Sequence, residues 1–557
     1  MNAPVDIAPP RRPATRWRAA TWVAGILASV ALLAPSSVGA ASVPAKGADA
    51  FVDSIGVNTH TYYTGTVYYK RFQEWRAKLS QAGVRHIREN LVPNRSDQYQ
   101  RLNELAGSGI RSTLIMGDPT EGVSGLETLL SIARNKIRDS LAALEGTNEF
   151  DLSGRASWRT ELAAYHRKLS ELANADPSLS SLPLIGPSIV HWDSMDELGD
   201  ISSQLDYGNI HSYPDGYQPE SNLDSHFSHS AANSSSKPVM ATETGYHTAL
   251  GWTADHKPAS EAAMATYVPR MYLEYFRRGV ARTFSYELLD EAAGSDDRED
   301  NFGLLRHDLS EKPAFSALRN TIRILEDPGA SFAPGSLDYS LSGSPSDLRQ
   351  VLLQKSDGSF YLALWRASSV WDPVKRVTLS PSTATVTVDV NSTLATAERY
   401  APNTSDAPLA SFPDPNGPLS VGVGPQVTIL KLAPAVATSP PPSTPDPAPP
   451  APEPSPEPEP VPPEPSPEPE PVPPEPSPEP EPAPAPAPPA PRPVQTPAPV
   501  TSPPTAAPQP PAAGALRRAA RQRKIRKRRA RARARAARVS RRTGRPGMRL
   551  MFASRAR

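Results

Sequence analysis

The fold is decided by a pattern that is clearest in SLAALEGTNEF, residues 140–150, where a short apolar run ends in polar and acidic side chains. The same pattern returns in PVMATETG, residues 238–245. The apolar part of each stretch has the length of a buried β-strand, and a run with apolar residues three and four positions apart follows, at 157–173 and at 260–278. The pattern predicts strands that alternate with amphipathic helices.

Eight such units lie between residues 51 and 325, with further helices predicted at 70–82 and 97–106. The predicted strands are residues 51–57, 84–88, 112–116, 140–145, 184–189, 207–210, 238–242 and 282–286. Eight units in this length match a closed α/β structure, the (β/α)8 TIM barrel of about 250 residues, better than an open doubly wound sheet. No glycine-rich phosphate loop follows the first strand, which also disfavours a nucleotide-binding sheet. We therefore expect a barrel domain over residues 41–327.

Short alternating strands replace the helical pattern beyond Leu325, at 350–353, 360–364, 384–390 and 426–432. Turn-forming pairs such as Asp357-Gly358 separate them. This pattern predicts a small antiparallel β-sandwich as an accessory domain at 328–434. Such a domain either braces the barrel or binds carbohydrate, and its few aromatic residues favour bracing.

The first 40 residues have the features of a secretory signal peptide. Four arginines precede an apolar run at 19–34, and Val38, Gly39 and Ala40 supply the small residues that a signal peptidase reads. We expect cleavage after Ala40 and a secreted, extracellular protein without a transmembrane segment in the mature chain. The alternative is a retained anchor, although the run is shorter than the ~20 residues of a spanning helix. Because the sequence contains no cysteine, stability has to come from a packed core.

The C-terminal part of the sequence changes composition twice. Residues 435–513 are rich in Pro, Glu and Ala and repeat the unit EPSPEPEPVPP from Glu453 and from Glu464, which predicts a disordered, extended linker. Residues 514–557 form an Arg-rich basic tail with 19 of the 59 basic residues and no acidic one. The tail predicts binding to an anionic cell-envelope polymer or lipid, and so retention at the cell surface. Nucleic acid is a poor partner for a secreted protein.

The candidate catalytic residues close the fourth and seventh predicted strands. In a (β/α)8 barrel the site lies at the carboxyl ends of the strands. Glu149 follows the fourth strand and Glu243 follows the seventh, and these strands are nearly opposite in a ring of eight. Hydrolysis of a glycosidic bond requires two carboxyl groups that flank it.

Asn148-Glu149 on one strand and Glu243 in Ala-Thr-Glu-Thr-Gly on the other resemble the retaining glycoside hydrolases of the (β/α)8-barrel clan A. The resemblance covers residues 51–320 and implies that Glu149 is the acid/base and Glu243 the nucleophile. It also implies substrate-binding or supporting roles for a set of residues at other strand ends: Arg88, Asn148, His211, Tyr213 and Tyr286.

Each supporting role has a physical reason. Arg88 would keep Glu243 ionised, because a nearby cation lowers a carboxyl pKa, and Tyr213 would donate toward the same carboxylate. Asn148 would hold the 2-hydroxyl of the sugar. The structural alternatives are an ion pair of Arg88 with Glu89 or Glu145 and a buried, satisfied His211.

At a finer level the chain is most similar to the β-xylosidase and α-iduronidase family, followed by cellulase-like families. It departs from the clan where Phe150 replaces a frequent proline and where Tyr286-Glu287 replaces a frequent tryptophan. The resemblance implies a carbohydrate substrate and neither metal nor organic cofactor. A transglycosylase and a non-catalytic polysaccharide-binding protein, tethered to the cell envelope by the basic tail, are the alternatives.

Overall fold

The computed structural model describes residues 41–329 and 331–435. The predicted signal peptide, the basic tail and all but the first residue of the predicted linker lie outside these residues. Within the described ranges, the helices are all too short or too polar to cross a membrane.

The first half of the chain forms a parallel β-barrel. The strands up to residue 285 are, in chain order, β1 (Ala41–Pro44), β2 (Lys46–Gly47), β3 (Ile55–Asn58), β4 (His86–Asn90), β5 (Arg111–Ile115), β6 (Leu141–Glu145), β7 (Leu184–Ile185), β8 (Gly208–His211), β9 (Val239–Thr244) and β10 (Thr283–Ser285). Eight of them pair in parallel in the order β7-β6-β5-β4-β3-β10-β9-β8. A parallel bridge between Ile185 and Tyr207 joins the two ends of this order. The predicted (β/α)8 barrel is confirmed.

A helical segment follows each strand of the barrel. The helices are α1 (Ala48–Asp53), α2 (Val67–Lys70), α3 (Phe72–Ala82), α4 (Ser96–Ala106), α5 (Gly122–Lys136), α6 (Trp158–Ala175), α7 (Trp192–Leu198), α8 (Leu223–Ser234), α9 (Glu261–Arg277) and α10 (Pro313–Leu325). In α10 the buried residues Phe315, Leu318, Ile322 and Leu325 recur at the spacing of one helix face, and Pro313 lies in the first turn, where its missing N–H costs nothing.

Two predicted strands need correction. The first was expected at 51–57, but Phe51 and Val52 belong to α1 and the strand begins at Ile55. A short apolar helix and a buried strand look alike by composition, because both are apolar on every side. The fifth was expected to reach Ile189 but ends at Ile185, since Pro187 has no N–H to donate to a neighbouring strand.

The remaining strands build a two-layered β-sandwich, except β14 and β15, which pair only with each other. They are β11 (Ser336–Ser342), β12 (Leu348–Gln354), β13 (Phe360–Arg366), β14 (Trp371–Asp372), β15 (Val377–Thr378), β16 (Ala384–Val390), β17 (Leu394–Tyr400), β18 (Ala410–Ser411), β19 (Leu419–Val423) and β20 (Thr428–Pro434). One layer has the order β1-β11-β16-β19 and the other β18-β17-β20-β13-β12-β2. Leu337, Leu362, Val386, Val421 and Leu430 pack in one apolar cluster between them. The predicted sandwich is confirmed.

The lower bound of the barrel domain also needs correction. Residues 41–47 were assigned to the barrel, but β1 pairs with β11 and β2 pairs with β12, so this segment completes both layers of the sandwich. The pairing joins residues that are far apart in sequence, and local patterning carries no signal for such a contact.

The sandwich is bonded to helix α9 of the barrel. Arg270 is fully buried and donates to both carboxylate oxygens of Glu220 and to the carbonyl of Ser368. The indole of Trp365 donates to the same glutamate over 3.2 Å. This buried contact explains why α9 is apolar on nearly all sides: one side covers the barrel and another meets the sandwich.

Candidate active site

Arg88, on strand β4, lies at the centre of the site and is almost fully buried. Its guanidinium donates two parallel hydrogen bonds to Glu145, of 2.6 and 2.7 Å. It also donates to Oε1 of Glu243 over 2.7 Å, and to the side-chain oxygens of Asn58 and Asn148. One cation therefore orients residues at the ends of three other strands, β3, β6 and β9.

The carboxylate of Glu243 is held at both oxygens. Arg88 donates to Oε1, and the phenol of Tyr213 donates to Oε2 over 2.7 Å. Burial alone would raise the pKa of Glu243, but the positive charges of His211 and Arg88, together with the Tyr213 hydrogen bond, outweigh burial and lower this pKa. The group is therefore an ionised, oriented carboxylate.

Glu149 is placed by the turn that ends strand β6. Its backbone φ is +48°, and its N–H donates to Ser188, which follows the neighbouring strand β7. The side chain is 26% exposed, against 11% for Glu243, so it is the more accessible of the two carboxyls. One side-chain oxygen of Glu149, one of Glu243 and a ring nitrogen of His211 all lie within 4.8 Å of one another.

His211 lies between the two carboxyl groups. Its Nδ1 is 3.0 Å from Glu149 and 3.4 Å from Glu243, and its Nε2 is 3.0 Å from Oγ1 of Thr242. That hydroxyl is also 2.7 Å from the side-chain oxygen of Asn209, to which it donates, so it accepts the proton of His211 Nε2. Burial disfavours the charged imidazole, but Glu243 and Glu149 outweigh burial and raise the pKa of His211.

A metal ion fits poorly among Glu149, His211 and Glu243. Their atoms are close enough to share an ion. Arg88 already supplies a permanent positive charge 2.7 Å from Glu243, and a second cation would be repelled by it. The arrangement instead places an ionised, oriented carboxylate beside a second, more accessible carboxyl group.

The structure brings together six of the seven residues singled out from the sequence: Arg88, Asn148, Glu149, His211, Tyr213 and Glu243. Tyr286, the seventh, forms a wall of the site, with its ring edge-on to Tyr213 and Phe302 at 6.4 and 5.2 Å between centroids. Arg88 was expected to pair either with Glu243 or with Glu145, and it bonds to both. The other alternative partner, Glu89, is instead bonded to Thr59, Thr61 and Gln98.

Sequence reasoning did not assign roles to a second set of buried polar residues: Asn58, Glu145, Asn209 and Thr242. These side chains hydrogen-bond Arg88, His211 or one another beneath the predicted residues. Each is a polar residue inside an otherwise apolar strand, and that mismatch is the sequence signal that could have found them.

Solved structures with a similar fold are glycoside hydrolases and a glucanosyltransferase. A family 39 glycoside hydrolase from the gut symbiont Bacteroides cellulosilyticus WH2 matches 70% of this chain and 83% of its own, at 15% identity and a TM-score of 0.51. A glucosidase from Croceicoccus marinus matches 65% and 92%, at 9% identity and a TM-score of 0.45. A family 17 β-1,3-glucanosyltransferase from Rhizomucor miehei matches 48% and 97%, at 19% identity and a TM-score of 0.39.

No protein-family model matches the chain, and no curated protein matches it. At 15% identity the first of these structural matches speaks for the fold. The described part of the chain shares its (β/α)8-barrel fold with that glycoside hydrolase.

Proposed function

We propose that the protein hydrolyses O-glycosidic bonds of a polysaccharide or oligosaccharide with retention of configuration. The observation that carries the proposal is the pair Glu149 and Glu243. Their oxygens lie within 4.8 Å of each other across the mouth of the barrel, and one of the two carboxylates is held ionised by Arg88 and Tyr213.

In the first step Glu243 attacks the anomeric carbon of the sugar. The bond from that carbon to the leaving oxygen breaks, and Glu149 transfers its proton to that oxygen. A glycosyl ester forms on Glu243 and Glu149 becomes a carboxylate. The ester no longer carries the negative charge of Glu243, and Glu145 then remains to balance Arg88, which keeps the buried cation paired throughout.

In the second step Glu149 removes a proton from water, which attacks the same carbon and releases Glu243 as a carboxylate. His211 supports both steps, because its Nδ1 faces Glu149 and its other nitrogen is fixed by Thr242.

The separation of the two carboxyl groups favours retention over inversion. Retaining enzymes have about 5–5.5 Å between the groups, whereas inverting enzymes need about 6.5–9.5 Å to admit a water molecule. One oxygen of Glu149 and one of Glu243 lie within 4.8 Å of each other, which supports the shorter separation.

The proposal includes secretion and attachment to the cell surface. Residues 1–40 would direct export, and the basic tail at 514–557 would bind an anionic envelope polymer or lipid. Moderate salt should release such a protein from washed cells, because screening weakens these contacts. Retention at about 1 M salt would contradict electrostatic attachment.

The deciding experiment measures hydrolysis of a panel of aryl glycosides and polysaccharides by the full chain and by Glu149→Gln and Glu243→Gln. Both variants should lose at least about a thousandfold in kcat/KM, because each removes a group that acts in the transition state. Glu171→Gln, an exposed residue on α6, is the matched control and should retain activity. Unchanged activity in either site variant would refute the assignment.

Two further measurements separate the alternatives. A 2-deoxy-2-fluoro glycoside should leave a stable mass increment on the peptide that contains Glu243, whereas an inverting enzyme would leave none. Release of reducing sugar without an added acceptor separates hydrolysis from transglycosylation. Binding without turnover across the whole panel would favour the non-catalytic alternative.

A further inference from the structure

A second group of titratable side chains lies beside the catalytic pair. It consists of His60, Glu287 and Glu291, and it is called the acidic group below. One ligand-type atom from each lies within 4.8 Å of the others, and His60 Nε2 is 3.1 Å from Glu287 Oε2. Tyr68 donates to the same oxygen over 3.0 Å and fixes the carboxyl.

The fold places the acidic group next to the catalytic residues. His60 follows β3 and Glu287 follows β10, and these strands are the barrel neighbours of β4 and β9, which carry Arg88 and Glu243. Rings connect the two sites. The ring centroid of His60 is 5.8 Å from that of Tyr286, which is 6.4 Å from that of Tyr213. The Tyr213 hydroxyl in turn donates a hydrogen bond to Glu243.

The surrounding loop is strongly acidic. Residues 287–301 read ELLDEAAGSDDREDN, with seven acidic residues and one basic residue. The basic residue, Arg298, is already engaged with Glu299 and Asp255. Burial and the neighbouring carboxylates raise the pKa of Glu287 well above its usual value and the pKa of Glu291 to about 8.

Buried polar atoms of the acidic group lack partners. Glu287 is fully buried, and its Oε1 has no hydrogen-bond partner among the described residues. Both ring nitrogens of His60 also have no hydrogen-bond partner among the described residues. Nε2 is close to Glu287, but the contact is poorly aligned for a hydrogen bond. Buried polar groups are nearly always bonded in a folded protein, so these atoms point to a ligand.

Aromatic rings enclose the same place. His60 stacks on Tyr63 at 4.5 Å and meets the edges of Tyr62, Tyr68 and Tyr286. Tyrosine rings stack on sugar faces and attract cations through their π-electrons. Carboxylates and tyrosines together form a binding site for a protonated amine.

We infer that the substrate is a glycan with free amino groups, such as a polymer of unacetylated hexosamine, and that the acidic group binds one of its ammonium groups. The inference rests on the proposed function and names the substrate class of the same site. A protonated amine donates up to three hydrogen bonds, which can satisfy Glu287 and Glu291 together, and its charge favours release of the protons that these groups hold.

The other ligand classes fit less well. A neutral sugar hydroxyl could bond to Glu287 but would leave the acidic loop without counter-charge. A uronate would be repelled by that loop, so the chain departs here from the resemblance to α-iduronidases. A divalent cation could be held by the three ligand atoms, but it would make no use of the aromatic enclosure.

The test compares three tetrasaccharides that share a β-1,4-linked glucopyranose backbone and differ at carbon 2. They are cellotetraose, the tetramer of glucosamine and the tetramer of N-acetylglucosamine. Calorimetry with the full-chain Glu149→Gln variant at neutral pH measures binding without turnover. We expect the glucosamine tetramer to bind at least about tenfold more tightly than either of the others, because charge-assisted hydrogen bonds are about twice as strong as neutral ones.

Adding Glu291→Gln to this variant should remove the preference while changing the affinity for cellotetraose less than about twofold. Adding Glu171→Gln, on the surface of α6, should preserve it. Equal affinity for the three tetrasaccharides, no binding of any of them, or an equal loss for all three on Glu291→Gln would overturn the inference. Saturable binding of Zn²⁺, Mn²⁺ or Ca²⁺ by the EDTA-treated protein, abolished by Glu291→Gln, would overturn it in favour of a metal site. These outcomes are independent of whether the wild-type chain hydrolyses any glycoside, which tests the proposed function.

Discussion

Two pairs of glutamates at the carboxyl ends of the barrel strands have opposite electrostatic surroundings. Glu145 and Glu243 share the guanidinium of Arg88, whereas Glu287 and Glu291 share an imidazole and a loop of further carboxylates. The pKa of Glu243 is lowered, while the pKa values of Glu287 and Glu291 are raised. Burial acts in the same direction on all three, so the difference comes from the neighbouring charges: His211 and Arg88 beside Glu243, and further carboxylates beside Glu287 and Glu291. The first pair has a permanent counter-charge in Arg88, whereas the second pair holds protons that a bound cation would displace.

The largest effect is expected from replacing Arg88, because it holds both Glu145 and Glu243. Arg88→Met leaves two buried carboxylates without their counter-charge, which costs about 3–5 kcal/mol in the free energy of unfolding, and it should abolish activity. Urea unfolding followed by circular dichroism measures the loss. Arg319→Met, whose arginine pairs with Glu311 on the outside of the barrel, is the control and should cost less than about 1 kcal/mol. A small loss for Arg88→Met would show that the carboxylates do not depend on it.

The pair Glu287 and Glu291 should make the free energy of unfolding fall as pH rises. A carboxylate that is paired with a cation has the opposite effect. The pKa of Glu291 is about 8 in the folded chain and about 4.3 when unfolded, so between these pH values the folded state holds a proton that the unfolded state has released. The free energy of unfolding therefore falls as pH rises through this window.

Glu291→Gln should flatten this decline by up to about 5 kcal/mol, because the amide does not titrate. Unfolding at a series of pH values measures the difference, with Glu171→Gln as the control. An unchanged slope would show that Glu291 ionises normally in the folded chain.

The smallest effect is expected at Tyr213, and it tests what lowers the pKa of Glu243. Tyr213→Phe removes one hydrogen bond from Glu243 and leaves the Arg88 bond in place. The pKa of Glu243 should rise, so the acid limb of the profile of kcat/KM against pH should move to higher pH. Activity at the optimum should fall about tenfold to a hundredfold, as expected for a hydrogen bond to a charged group. Tyr339→Phe, in the sandwich, should leave the profile in place; a Tyr213→Phe profile without a shift would refute the role of the phenol.

Local patterning predicted the barrel because strands and helices that face one core repeat their apolar spacing. It also placed Glu149 and Glu243 at the carboxyl ends of two strands that are nearly opposite in the barrel. That arrangement follows from strand order alone. Glu145 and Thr242 were not assigned roles because their importance depends on Arg88 and His211, which lie on other strands.

The acidic group could not be predicted as a unit from sequence. His60 follows the first barrel strand and Glu287 the last, and only the closed ring brings them together. The wrong assignment of residues 41–47 to the barrel has the same cause, because their partner strands in the sandwich lie beyond Gly335. Contacts of this kind depend on topology rather than on neighbouring residues.

The pairing of β1 with β11, which joins Ala41 to Tyr339, has a consequence for how the chain folds. A chain that emerges N-terminus first presents the two leading strands long before their partners are synthesised or exported. Those strands have to wait unpaired while the whole barrel forms between the two halves of the sandwich. Contacts this distant in sequence form slowly, and an unpaired strand edge is a template for aggregation. We therefore expect the sandwich to be the last part to assemble, and refolding yield to depend on protein concentration more than refolding rate does.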